Sequence, residues 1–108
     1  MHRALAAGEP VDSAVDSVAS SALGATRIGA VPFAVLAGSV ASGVDVRSVL
    51  VTDAELLDAQ ARLWEEFRLA VEPAAAVPFA AWLAGRVPGE RACLVLCGAN
   101  TDGAPSGP

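Results

Sequence analysis

The apolar run Ala92–Cys97, near the end of this 108-residue chain, constrains the fold more than any other feature of the sequence. An unbroken apolar run of this length is typical of a strand that is covered on both faces in a parallel sheet. Only one other segment, Val46–Val51, has the β-branched composition that predicts a strand. Because sheets usually contain about four to six strands, a central strand at Ala92–Cys97 needs neighbours that these residues do not supply.

Two helices are predicted between these strands. Thr52 followed by Glu55 forms a capping box, so a helix begins there and continues until the dipeptide Glu72-Pro73. Proline suits the first position of a helix, so a second helix begins at this dipeptide. Residues 74–83 carry no charge, and we therefore expect the second helix to be enclosed on nearly all sides, with a kink or a late start at Pro78.

The order strand, helix, helix, strand predicts an α/β fold, an open sheet with helices on both faces and a right-handed crossover. The amino-terminal part of the chain predicts three further segments: a helix over residues 1–7 that ends at Gly8, an irregular stretch over 11–25, and a helix over 28–40. We expect residues 1–102 to form an incomplete domain and residues 103–108 to form a flexible tail.

Composition excludes several classes of function. The net charge is −5 with no basic cluster, which excludes nucleic acid as a partner. All seven basic residues are arginines. These residues therefore contain no lysine that could form a Schiff base. Cys93 and Cys97 are too few for a disulfide framework, and the first ten residues do not have the pattern of a signal peptide, so we expect a cytoplasmic protein. The two thiols would lie about 13 Å apart along a strand, and with His2 as the single histidine we expect no metal site.

The longest uncharged run, Ile28–Val44, reaches the lower edge of membrane-spanning length. It contains Pro32 together with glycines and serines among small side chains. We expect a buried helix followed by a loop, and no membrane contact, with a membrane segment as the alternative.

The loop after the second strand is where chemistry is expected, because ligands bind outside the carboxyl ends of strands in parallel α/β sheets. Gly98 permits close approach by a ligand, Asn100 offers a donor and acceptors, and Cys97 presents a thiol. The alternative is an ordinary turn in which Cys97 is a small buried hydrophobic residue. Glu72 is likewise either a solvated helix cap or a buried functional group.

Two stretches, Leu63–Ala76 and Leu94–Asp102, resemble the carboxyl-terminal third of the pyridoxal 5'-phosphate (PLP)-dependent serine/threonine dehydratases. That family includes threonine ammonia-lyase and serine racemase and has the tryptophan synthase β-subunit fold type, also called fold type II. Its pattern has two parts. The first is a helix start similar to Val-Glu-Pro-Ala-Gly-Ala, and the second is a loop at the end of a strand that reads Ser or Cys, then Gly-Gly or Gly-Ala, then Asn. The resemblance covers roughly residues 11–102.

The resemblance implies PLP as the cofactor and assigns a role to four residues. Cys97 would hydrogen-bond the pyridine nitrogen, Gly98 and Asn100 would shape the adjoining loop, and Glu72 would line the pocket near the ring. No catalytic residue is assigned. The implied reaction is lyase chemistry, in which serine or threonine loses water and then releases a 2-oxo acid and ammonia.

The departures from the family pattern matter as much as the matches. The family's Schiff-base lysine and Gly-rich phosphate loop lie upstream of the region of resemblance, and these residues contain neither. Ala75 stands where the family commonly has glycine, and Pro78 interrupts the alanine-rich helix. The chain is therefore interpreted as a fragment of an ammonia-lyase, inactive alone, whose partners are the remainder of the enzyme or a homo-oligomer and a small amino-acid substrate. The alternative is a non-catalytic, stand-alone binding or interaction module.

Overall fold

A computed structural model describes residues 1–102, and its regular elements are five helices. They are α1 (His2–Ala7), α2 (Ser20–Leu23), α3 (Ala30–Ala41), α4 (Asp53–Phe67) and α5 (Pro73–Leu83). The chain divides into two compact units, one built from residues 1–16 and 24–50 and the other from residues 17–23 and the chain from Val51 onward. The predicted tail 103–108 lies outside the described residues.

The first unit contains α1 and α3, both predicted from the sequence. Gly8 ends α1 with φ 75°, a left-handed conformation that glycine adopts without a steric penalty, and its N–H donates to Ala4 O. Helix α3 buries none of its residues within the described part of the chain, and Val31 and Val35 are 75% and 63% exposed. Among residues 1–102, no helix is both long and apolar enough to cross a membrane.

Helix α4 begins where the sequence predicts and ends earlier. Thr52 accepts a hydrogen bond from Glu55 N–H, and the Glu55 carboxylate accepts one from Thr52 N–H, which completes the capping box. The helix ends at Phe67 because Arg68 is left-handed, with φ 58°, and Leu69 N–H donates back to Leu63 O. The Arg68 guanidinium lies 5.5 Å from the centre of the Trp64 ring, a cation–π contact that helps to offset the strain of this conformation.

Helix α5 begins at Pro73 as predicted, with Glu72 as its N-cap. It continues through Pro78 as one helix, so the predicted late start is wrong. Its enclosure is close to the prediction: every residue of α5 is buried or half-buried except Trp82 at its far end, which is 49% exposed. Helix α4, the short helix α2 and the side chains of Leu94 and Leu96 contact or pack against it.

The second unit is held together by α4 packing on α5. Small residues at the contact let the two helices approach closely, and larger side chains fill the ends. The buried cluster consists of Ala59, Leu63, Val71, Ala75, Ala76, Phe79 and Ala80. A bidentate pair between Arg86 and the Glu55 carboxylate, at 2.7 and 2.9 Å, ties the chain after α5 to the first turn of α4.

The two predicted strands are absent from the described residues, so the sheet of the predicted α/β fold is not formed within them. Residues 46–51 and 92–97 have no ladder of backbone hydrogen bonds, and such a ladder requires a neighbouring strand. Both segments have the composition of a strand, but no second strand lies beside either of them among the described residues.

The capping box generates a prediction. Replacing Thr52 with alanine leaves an N–H of the first turn of α4 without its acceptor, and we expect the free energy of unfolding to fall by about 1 kcal/mol. Urea denaturation followed by circular dichroism measures this change. Ser21→Ala, at an exposed residue of the short helix α2, is the matched control and should leave the midpoint unchanged.

The Glu55–Arg86 pair generates a second prediction. Hydrogen bonds from the Arg86 guanidinium, and then from the Thr52 backbone, lower the pKa of Glu55 to about 2 from an ordinary value of 4.5. This pair therefore stabilises the fold fully above pH 4.5, and its contribution is lost as the pH falls towards 2. Thermal melts across this window should show a smaller pH dependence for Glu55→Gln than for the parent, whereas Glu65→Gln on the exposed face of α4 should leave it unchanged.

Candidate functional site

Glu72 and Gly98, far apart in the sequence, meet at the start of α5. Glu72 N–H donates to Gly98 O at 3.2 Å. The segment before Glu72 is fixed from the other side, because the Gln60 amide on α4 donates to Val71 O at 2.8 Å. The α4–α5 packing thus sets the position of the loop that follows residue 97.

The Glu72 side chain occupies the space beside Gly98 where another residue would carry its Cβ. A Cβ atom at Gly98 would lie 2.6 Å from Glu72 Cδ and 3.0 Å from Cγ, and would overlap the carboxylate. The sequence predicted that Gly98 permits close approach by a ligand, and the structure shows that it permits close approach by Glu72. We call Glu72, Cys97 and Gly98 together the junction.

Cys97 lies at the exposed side of the junction. Along residues 93–98 exposure alternates: Leu94 and Leu96 are half-buried against the α4–α5 core, whereas Cys93, Val95 and Cys97 are exposed. This period of two is typical of extended chain with successive side chains on opposite faces. The alternative that Cys97 is a small buried residue is therefore wrong, and its thiol is accessible.

The structure brings three of the four predicted site residues together and leaves the fourth at the rim. Glu72 is half-buried and Gly98 lies under its side chain, which is intermediate between the two sequence-based alternatives of a solvated cap and a buried group. Asn100 is exposed two residues beyond Gly98. Gln60 was missed by the sequence analysis, because a glutamine on an amphipathic helix gives no sign of bonding a backbone carbonyl eleven residues away.

Comparison with protein families identifies the chain. Residues 1–98 match the family described as "Pyridoxal-phosphate dependent enzyme". The chain belongs to this family. No curated protein sequence matches the chain.

A solved structure gives a finer comparison. The crystal structure of the T.th. threonine deaminase matches with a TM-score of 0.78 and 28% sequence identity. The match covers 96% of this chain and 34% of that chain, so the present residues span about a third of the threonine deaminase that they resemble.

These residues can supply a hydrogen bond to the family's cofactor but not its covalent attachment. The exposed thiol of Cys97 can donate a hydrogen bond to the nitrogen of a flat heteroaromatic ring. These residues contain no lysine to bind PLP covalently. Any covalent attachment through a lysine must therefore come from polypeptide outside them.

The junction generates a prediction. Gly98→Ala should cost about 0.5–1 kcal/mol of stability, because its Cβ displaces the flexible end of the Glu72 side chain. The same change in a Glu72→Ala background should cost almost nothing, since the overlapping carboxylate is gone. Urea titrations of the four variants measure this coupling.

Gly38→Ala is the matched control, because nothing lies within 4 Å of its Cβ position in α3. It should stabilise the chain slightly. Equal penalties for Gly98→Ala with and without Glu72 would contradict the contact.

Proposed function

We propose that this chain supplies one wall of the PLP site of an L-serine/L-threonine ammonia-lyase whose remaining parts lie outside these residues. The observation that carries the proposal is the position of Cys97, exposed at the end of the segment 92–97 and held beside Gly98 and Glu72. Family membership and the threonine deaminase match support the reaction class. PLP, when bound, serves as the electron sink for loss of the α-proton and the β-hydroxyl group.

Cys97 would orient the cofactor through a hydrogen bond between its thiol and the pyridine nitrogen. A thiol does not bring the fixed negative charge of an aspartate, so it does not hold this nitrogen protonated. The resulting milder electron sink suits elimination of a β-hydroxyl group rather than transamination.

Glu72, Gly98 and Asn100 would fix the loop around that hydrogen bond. The Glu72 N–H bond to Gly98 O and the packing of its side chain on Gly98 hold the backbone directly after Cys97. Asn100, exposed at the rim, offers donor and acceptor atoms to a bound ligand. The chain contains no lysine whose amine could bind PLP covalently. The 108-residue chain is therefore expected to release no 2-oxo acid by itself.

The exposed thiols fit a reducing compartment, and we place the enzyme in the cytoplasm.

The proposal is tested with a chimera in which this chain replaces the matched third of the T.th. threonine deaminase. We expect the chimera to bind PLP and to release 2-oxobutanoate from threonine, whereas the isolated chain does neither. Cys97→Ala in the chimera should weaken PLP binding about tenfold, the value of one hydrogen bond. PLP absorbance and fluorescence titrations measure this affinity independently of activity.

Cys97→Ser is the matched control, because a hydroxyl group makes the same hydrogen bond. It should bind PLP within a few-fold of the parent chimera. A folded chimera that binds PLP equally well with alanine at position 97 would overturn the role of Cys97. A folded chimera that binds no PLP would overturn the proposed function as a whole.

A further inference from the structure

One peptide group, between Val71 and Glu72, makes two hydrogen bonds, one to α4 and one to the loop after residue 97. Its carbonyl oxygen, Val71 O, accepts a hydrogen bond from the Gln60 side-chain amide at 2.8 Å. Its N–H group, on Glu72, donates to Gly98 O at 3.2 Å. A peptide group is planar, so the direction of its carbonyl determines the direction of its N–H. The orientation that Gln60 gives to this group therefore decides whether the Glu72 N–H points at Gly98.

The neighbouring residues restrict this orientation without selecting it. Pro73 keeps Glu72 extended, with φ −69° and ψ 158°. The extended region before a proline still spans about 80° of φ, so the peptide group on the amino-terminal side of Glu72 can rotate within it. Val71 is 7% exposed, so water has little access to replace the donor. The Gln60 amide is therefore the group that selects one orientation.

The loop after residue 97 depends on the same N–H group. In the described chain, one backbone-to-backbone hydrogen bond joins residues 92–98 to the helices, and it is the bond from Glu72 N–H to Gly98 O. Cys97 directly precedes Gly98, so a shift of this backbone changes the direction of the thiol. Hydrogen bonds weaken steeply when donor and acceptor are poorly aligned. A rotated peptide group would thus weaken a bond from the thiol without altering Cys97 itself.

We propose that Gln60 is a positioning residue for the PLP site. Its amide orients the Val71–Glu72 peptide group, which holds Gly98 and with it the Cys97 thiol. This inference rests on the proposed function for the identity of the ligand, whereas the control of the peptide group does not. If Gln60 only satisfied the Val71 carbonyl, its loss would lower stability and leave the hydrogen bond of Cys97 to the cofactor intact.

The first test follows the Glu72 amide in the 108-residue chain, without PLP. Gln60→Met keeps the length and the helix propensity of the side chain and removes the donor. We expect the Glu72 amide to exchange with deuterium about fivefold faster, the value of one hydrogen bond, whereas the amides in the middle of α5 keep their rates. Nuclear magnetic resonance measures each amide separately.

A second variant and a control accompany this test. Gln60→Glu keeps the shape of the side chain but, when ionised at pH 7, has no donor, so it should act like Gln60→Met. Leu57→Met is the matched control, because Leu57 is 46% exposed on the same helix and the substitution conserves volume. It should leave the exchange of the Glu72 amide unchanged.

The second test measures PLP affinity in the threonine deaminase chimera. Gln60→Met should weaken PLP binding about three- to fivefold, less than Cys97→Ala, because it acts only through the loop. In a Cys97→Ala background it should have no further effect, since the hydrogen bond that it positions is already gone. Absorbance and fluorescence titrations of the parent, the two single variants and the double variant measure this coupling.

Three results would overturn the proposal: parent-like exchange of the Glu72 amide in both Gln60 variants, parent-like PLP affinity of Gln60→Met, or an equal loss of affinity with and without the Cys97 thiol. The last result would leave Gln60 a structural role alone. A folded chimera that binds no PLP overturns the proposed function instead, together with the role of Gln60 towards the cofactor. The exchange of the Glu72 amide then still decides whether Gln60 orients the peptide group.

Discussion

Close packing of α4 on α5 through alanine side chains is the contact on which the rest of the second unit depends. Ala59 and Ala76 are fully buried between the two helices, and Leu63 and Phe79 are nearly so. Small side chains bring the helix backbones together and leave no room for a larger residue without a shift of the helices. The Gln60 amide on α4 donates a hydrogen bond to Val71 O, so this packing fixes the position of Val71 and of the start of α5 at Pro73.

The candidate site follows from that helix start. Glu72 precedes Pro73, so its N–H and side chain have a defined direction, and both reach Gly98. Cys97 is held on the exposed side of the same extended segment whose leucines pack on the helices. A single apolar contact between two helices therefore positions a thiol that is not part of either helix.

The sequence predicts the elements that local chemistry determines. The capping box at Thr52 and the dipeptide Glu72-Pro73 fix two helix starts, and both are confirmed. The end of α4 was not predicted, because the left-handed residue is Arg68 rather than a glycine, and a cation–π contact with Trp64 accompanies it. A local pattern does not contain a contact of that kind.

The remaining differences come from interactions between distant residues. Residues 92–97 have the apolar composition of a strand, and their leucines pack against the helices. A strand, however, exists only when a second strand pairs with it. The contact between Glu72 and Gly98 also joins residues far apart in the sequence, and the family resemblance brought them into one site only by analogy. The structure replaces that analogy with a hydrogen bond and a steric contact.

The central claim is that α4 and α5 pack into a core within these residues, whereas residues 92–97 make no backbone hydrogen bond to the rest of the described chain. Hydrogen–deuterium exchange of the chain tests this most directly. The account predicts protected amides in α4 and α5 and fast exchange at residues 92–97. Amides at 92–97 as strongly protected as those of α5 would contradict it.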